Sequence, residues 1–173
     1  MQNEMIELIK NRTSTKKFRD TPVPQELLDT IIEAGTWAPT GKNLQSPIIL
    51  AITNKEVRDA LSRENARILG ADIDPFYNAP AVLVVLSDRN APTYLYDGSV
   101  VMENLQLAAE ALGLGAYWIH RAKEEFDSDF GKELLKKAGI EGDYEGIGHC
   151  VIGSPDAEFK PKPRKENWVY RID

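Results

Sequence analysis

The amino-acid sequence predicts an α/β sandwich, with helices on both faces of one sheet of about four or five strands. Three observations predict it. After two opening helices, strand and helix periods alternate along the chain. The run at 79–86 (APAVLVVL) is continuously apolar, as in a strand buried on both faces. The stretch at 97–120 (DGSVVMENLQLAAEALGLGAYWIH) reads as a core helix running into a core strand. With 173 residues, 42% of them hydrophobic, the chain is long enough for one sizeable core and short for two, so a single domain over residues 1–173 is expected.

In order, Met5, Ile6, Leu8 and Ile9 give a short amphipathic helix that breaks at the polar run 11–15 (NRTST). Pro22 and Pro24 introduce a second helix, since proline is tolerated where no N–H is needed; Leu27, Leu28, Ile31 and Ile32 form its apolar face and Gly35 is its expected stop. Residues 37–47 (WAPTGKNLQSP) have no period and read as a loop. A buried strand is expected at 48–52, a polar-faced helix at 55–67 carrying Val57, Leu61 and Ile68, and the apolar strand at 79–86.

In the central helix Val101, Leu105, Ala108 and Leu112 stand at helical spacing, and apolar residues fill most other faces, which predicts burial all round. Gly113 ends it and 115–119 (GAYWI) is the following strand. One helix is expected over 124–138, with Phe126, Phe130, Leu134 and Leu135 inward, ending at Gly139. A last strand spans 147–152. The basic, proline-rich tail with Trp168 and Tyr170 is either disordered or tied down by a partner surface.

A net charge of −6 disfavours nonspecific binding to nucleic acid or an anionic membrane, since both need a basic face. One cysteine excludes an internal disulfide, and two histidines leave no zinc cluster of the usual spacing. No signal-peptide pattern and no run of about 20 apolar residues is present, so a cytoplasmic location is expected.

The run 113–118 (GLGAYW) begins like a dinucleotide fingerprint but lacks the last glycine, and its glycines follow a helix and open a strand, the reverse of the order that aims a helix N-terminus at pyrophosphate. Phosphate-loop and nucleophile-elbow motifs are absent, and Cys150 sits inside an apparent strand, where thiols are mostly inert. The loop 12–17 (RTSTKK) is the better candidate. Arg12 offers a fork of donors, Thr13 and Ser14 hydroxyls, and Lys16 a point charge, a set suited to phosphate or to a solvated cationic turn. Lys162 and Arg164 strengthen the first reading if the fold brings them near Arg12. Thr40, Asn43 and Gln45 either bind a polar ring edge or cap the next strand. His120 reads as a hydrogen-bonded strand-end residue more readily than as an acid or base. Asp97 and Glu103, six apart, lie on different helix faces and make no carboxylate pair.

Four segments in order, 11–18 (NRTSTKKF) with the following PVP, 38–45 (APTGKNLQ), 103–115 (ENLQLAAEALGLG) and 148–155 (GHCVIGSP) with KPR at 162–164, resemble the FMN-dependent nitroreductase family, and the likeness runs from about residue 5 to 165. The resemblance implies an α+β fold, a nitroreductase-like α/β sandwich whose central, mostly antiparallel sheet is flanked by helices. It further implies a homodimer with an exchanged C-terminal segment, residues 160–173 packing on the partner subunit, and FMN at the subunit interface. Arg12 and Ser14 are then similar to the phosphate and ribityl ligands, with Lys162 and Arg164 completing the phosphate site. Lys16 resembles the basic residue near flavin N1 and O2, and Pro39, Thr40 and Asn43 the loop laid against the flavin by the second subunit. The backbone of Ile119, His120 and Arg121, with Trp118 before it, matches the stretch facing N5 and O4. Asn65 is a looser match to a ring-contacting amide.

Departures are Thr13, where the family often has a second arginine, and His120 with Arg121, where some members carry an acidic residue and glycine. Helical insertions that shape the pocket of larger members are missing. The resemblance implies an NAD(P)H oxidoreductase in which NADH or NADPH reduces the flavin, which then passes electrons to a small-molecule acceptor such as a nitroaromatic, a quinone or another conjugated compound. No side chain need be catalytic, because flavin N5 carries the chemistry. A non-catalytic flavin carrier or sensor, or a specialised relative such as a dehalogenase, a flavin-fragmenting enzyme or an enal reductase, is the alternative.

Overall fold

A computed structural model describes residues 3–172. The elements are α1 (Glu4–Asn11), α2 (Gln25–Thr36), β1 (Pro47–Ile52), α3 (Lys55–Leu69), β2 (Ala81–Asp88), α4 (Tyr94–Ala111), β3 (Gly115–Ile119), α5 (Ala122–Asp127), α6 (Asp129–Lys137) and β4 (Tyr144–Gly153). The sheet order is β1-β2-β4-β3 and every pairing is antiparallel, which settles what hydrophobic periodicity alone left open.

Alternation along β2 divides the core. Leu83 and Val85 face α2 and α4, where Leu28, Ile31, Met102 and Leu105 pack on them. Val82, Val84 and Leu86 face the other side, with Leu61 of α3, Phe126 of α5 and Leu135 of α6. Strand side chains point alternately to opposite faces, so a strand covered on both faces must be apolar at every position. Local signals set most ends: the Asn3 side chain accepts from the backbone N–H of Met5 and Ile6 at the start of α1, that of Asn54 caps α3, and Gly113, at φ 70°, ends the turn after α4.

Four expectations are corrected. The helix expected at 124–138 is two helices. Ser128 breaks it, donating its hydroxyl to Glu125 O (2.6 Å) and capping α6 at Gly131 N (3.4 Å). Gly35 does not stop α2 but lies within it; a Cβ there would stand 2.6 Å from Leu105 Cδ2, so its missing side chain sets how closely α2 and α4 pack. The strand at 47–52 is not buried: it forms the sheet edge, half-covered, with Ala51 exposed. Nor is α4 buried all round. One face carries Val101, Met102, Leu105 and Ala109 into the core, while Leu95, Tyr96 (74% exposed) and Val100 stand open, as does the apolar face of α1 (Met5 61% exposed). Apolar composition records that a face wants covering and does not say which chain covers it.

Candidate functional site

The site begins at the outer edge of β3. Its strand neighbour is β4, and its other edge is met at the start by the loop after α1: Thr15 N donates to Ala116 O at 3.0 Å, and Ser14 pairs with Ala116 as a parallel bridge. Gly115 permits this approach, because a Cβ there would lie 2.5–2.7 Å from three side-chain atoms of Thr15. Strand backbone groups alternate sides, so if the Ala116 carbonyl faces outward the N–H and C=O of Trp118 and the N–H of His120 do too. None of these three has a partner within the chain among the described residues.

Main-chain anchoring leaves the loop's side chains unspent. The Arg12 guanidinium has one hydrogen-bond partner among the described residues, Gln106 Oε1 of α4, at 3.5 Å. Lys16 Nζ lies 5.6 Å from the centre of the Tyr117 ring. Neither forms an ion pair among the described residues, although acidic residues outnumber basic ones 27 to 21. Ser14 is half-buried without a side-chain hydrogen bond, and Thr13 donates to Phe159 O at 3.2 Å, where the tail passes the loop.

Beyond β3 the chain turns sharply. Arg121 sits at φ 77°, a left-handed conformation that side-chain-bearing residues rarely adopt, and serves as N-cap of α5. Asn65, fully buried on α3, holds this turn: its Nδ2 donates to His120 O (2.9 Å) and Glu125 Oε2 (3.0 Å), and its Oδ1 accepts from Arg121 Nε (2.9 Å). Its amide is therefore engaged inside the protein. Ile119 is buried, with its carbonyl 3.3 Å from His149 Nδ1, and the half-buried Trp118 indole lies across Gly148 of β4.

The second loop, Pro39 to Gln45, hangs from the buried carboxylate of Asp97 at the start of α4. Gly41 N donates to Oδ1 (3.0 Å), and the Thr93 and Ser46 hydroxyls to Oδ2 (2.9 and 3.4 Å). Thr40 Oγ1 accepts from Gln45 N (3.0 Å), and Asn43 Oδ1 from Gln45 Nε2 (3.3 Å). Pro39 and Asn43 are exposed. Asp97 and Gln106, the α4 residues nearest the two loops, are separated by about 13 Å along the helix axis. One chain thus does not bring Arg12, Ser14 and Lys16 together with Pro39, Thr40 and Asn43. Lys162 and Arg164 lie in the extended, exposed tail and make no ion pair or hydrogen bond among the described residues.

Sequence reasoning missed several participants. Asp97 was weighed as half of a carboxylate pair, and its part is to anchor a loop; an acid in the first turn of an otherwise apolar helix was the available signal. Gln106, buried on the apolar face of α4, carried a similar signal. Glu125 and His149, buried far apart in sequence, carried none. Cys150 lies in the core, where burial pushes its thiol up to about 12 and keeps it protonated and inert.

This edge of backbone donors and acceptors beside two unpaired cations is suited to a planar heterocycle with amide-like groups and an anionic tail. Among the described residues no group of three histidine, cysteine or acidic side chains is placed to hold a metal ion, and no helix is long and apolar enough to cross a membrane. A model of the nitroreductase family matches residues 9–75. A relative from Methanothermobacter thermautotrophicus is 29% identical over 119 residues; the match takes in 66% of this chain and 60% of that protein's length. An NADPH-flavin oxidoreductase from Vibrio harveyi is 27% identical over 173 residues, covering 94% of this chain and 70% of its own. The crystal structure of a nitroreductase with bound FMN from Bacteroides fragilis superposes with a TM-score of 0.90 at 24% identity, over 99% of this chain and 100% of that one. The chain has the fold of that structure, and its first half is similar in sequence to the nitroreductase family.

Proposed function

We propose that the protein is a homodimeric, FMN-dependent NAD(P)H oxidoreductase whose single domain, residues 1–173, binds FMN together with a second copy. The observation that carries this reading is the open edge of β3 beside the unpaired Arg12 and Lys16. These residues fit FMN: the cations suit its phosphate and the electron-rich side of its ring, and the backbone at His120 and Arg121 suits the ring's polar edge. The bound FMN of the Bacteroides fragilis structure and the flavin chemistry in the name of the Vibrio harveyi relative support the assignment.

Arg12 and Ser14, with Lys162 and Arg164 of the tail, would hold the phosphate. Lys16 would stand by the ring's carbonyl side, where a cation favours added negative charge. Trp118, Ile119, His120 and Arg121 would border the ring, with Asn65 bracing them and Thr13 tying the loop to the tail. Pro39, Thr40 and Asn43 would be presented by a second copy. When bound, FMN supplies two-electron redox chemistry, accepting hydride from NADH or NADPH and delivering electrons to a nitroaromatic, quinone or other conjugated acceptor. The protein's part is to orient the ring, neutralise charge and exclude water, so no side chain is assigned as nucleophile or proton donor. The uncovered apolar faces of α1 and α4 and the extended tail, with Trp168 67% exposed, support a second copy as partner. A cytoplasmic location, where both reductants are available, completes the proposal.

Recording the visible spectrum of purified protein with and without added FMN tests the assignment: bound flavin is expected, and a protein that stays colourless overturns it. Rapid mixing with NADH and NADPH separates an enzyme, in which flavin absorbance bleaches, from a carrier or sensor, in which it persists. Sedimentation should return twice the 19.4 kDa chain mass.

A further inference from the structure

Behind the end of β3 lies a cluster that the assignment above leaves without a task. Glu125 of α5 and His149 of β4 are both 0% exposed. His149 Nε2 is 2.7 Å from Glu125 Oε2 without the geometry of a hydrogen bond, and Glu125 Oε1 has no partner among the described residues. The rings of Phe76 and Phe126 flank the imidazole at 5.1 and 6.4 Å. A buried acid and base in apolar surroundings are costly to desolvate, and hydrophobic replacements of similar volume often serve stability as well or better. Packing alone therefore gives little reason for the pair.

The cluster's outward contacts supply one. His149 Nδ1 meets Ile119 O, while Asn65, bonded to Glu125, meets His120 O and Arg121 Nε. Two successive carbonyls at the end of β3 are thus drawn inward. The peptides joining Ile119, His120 and Arg121 are trans, and in a trans peptide the N–H points opposite to the carbonyl before it. Drawing in Ile119 O and His120 O therefore turns the N–H groups of His120 and Arg121 away from the core. The same contacts hold Arg121 at φ 77°, a backbone state that persists where its surroundings over-determine it.

We propose that Glu125, His149 and Asn65 are positioning residues that set the two peptide planes at the end of β3, and with them the backbone donors presented to the flavin edge. This rests on the FMN reading, but the orientation of the peptides does not.

Asn65→Leu cuts the link between the cluster and the turn, and Glu125→Gln keeps the shape while replacing the carboxyl group with an amide. In apoprotein, 15N relaxation should give order parameters of about 0.85 at His120 and Arg121 in the wild type and below about 0.6 in Asn65→Leu, with β2 unchanged. In the FMN-loaded protein the same variant should shift the flavin absorption bands and slow reduction by NADH about tenfold, while FMN affinity stays within about threefold because the loop cations remain. Wild-type order parameters in Asn65→Leu overturn the proposal, as does an unchanged flavin spectrum with an unchanged reduction rate. A wild type that never binds FMN overturns the functional assignment instead, and the apoprotein measurement still decides the positioning claim. Should Asn65→Leu fail to fold, Glu125→Gln takes both measurements, with the spectral shift and slowed reduction expected and wild-type behaviour in both overturning the proposal.

Discussion

The two loops that flank α4 are both mainly polar and are held in opposite ways. Residues 12–16 are fixed through the main chain, by Thr15 N on Ala116 O and by close passage over Gly115, so Arg12, Ser14 and Lys16 keep most of their hydrogen-bonding capacity. Residues 39–45 are fixed through side chains, by Asp97 and by Thr40 on Gln45 N, and three of their residues, Lys42, Asn43 and Gln45, adopt positive φ. Main-chain anchoring leaves side chains for a ligand. Side-chain anchoring fixes a loop's shape and leaves mainly its surface to present.

The contrast is broken most severely by Gly115→Ala, which forces the first loop off β3. Overpacking of this kind should cost about 1–3 kcal/mol of stability in thermal or denaturant unfolding, and FMN affinity should fall as well. Arg12→Ala should leave the fold intact and weaken FMN by about 1.5–3 kcal/mol in a fluorescence titration, the scale of a charge-assisted hydrogen bond. Arg164→Ala should lose a similar amount, and unchanged affinity would remove the tail from the site. Asp97→Ala should reverse the pattern, with about 1–3 kcal/mol lost from stability because Gly41 N is left without its acceptor, and a smaller loss in FMN affinity.

The mildest change tests the far end of the first loop. There Lys17 pairs with Asp156 at 2.8 Å on the surface and, through that hydrogen bond, holds the Asp156 carboxyl below its ordinary 3.8. A lowered carboxyl pKa stabilises the fold above the ordinary value, and the contribution is lost as pH falls through the folded value. The pair is exposed, so Asp156→Asn should melt only slightly below wild type at neutral pH, and the difference should close in scans run below pH 3.8.

A second pair of regions explains how far the sequence could be read. β2 and α4 are both conspicuously apolar, and the same inference, burial on every side, was drawn for each. It held for β2, whose two faces are covered by helices of its own chain. It failed for α4, whose outer face is left open among the described residues. Arg12, Ser14 and Lys16 were legible as a candidate anion-binding set because their chemistry is local. That the loop lies on β3 was not, because Gly115 and Thr15 are 100 residues apart and meet only through the fold.

Taken by itself, the sequence determined what short-range physics encodes: most element types and many of their ends, the doubly buried strand, the cationic loop and a family likeness spread over four segments. The tertiary structure alone decided the strand order β1-β2-β4-β3, the break at Ser128, the anchoring of two loops at opposite ends of α4, and the meeting of Asn65, Glu125 and His149 behind the end of β3. The reason is that periodicity and capping act over a few residues. Pairing order, close approach and the burial of a polar cluster depend on segments that only the folded chain brings together.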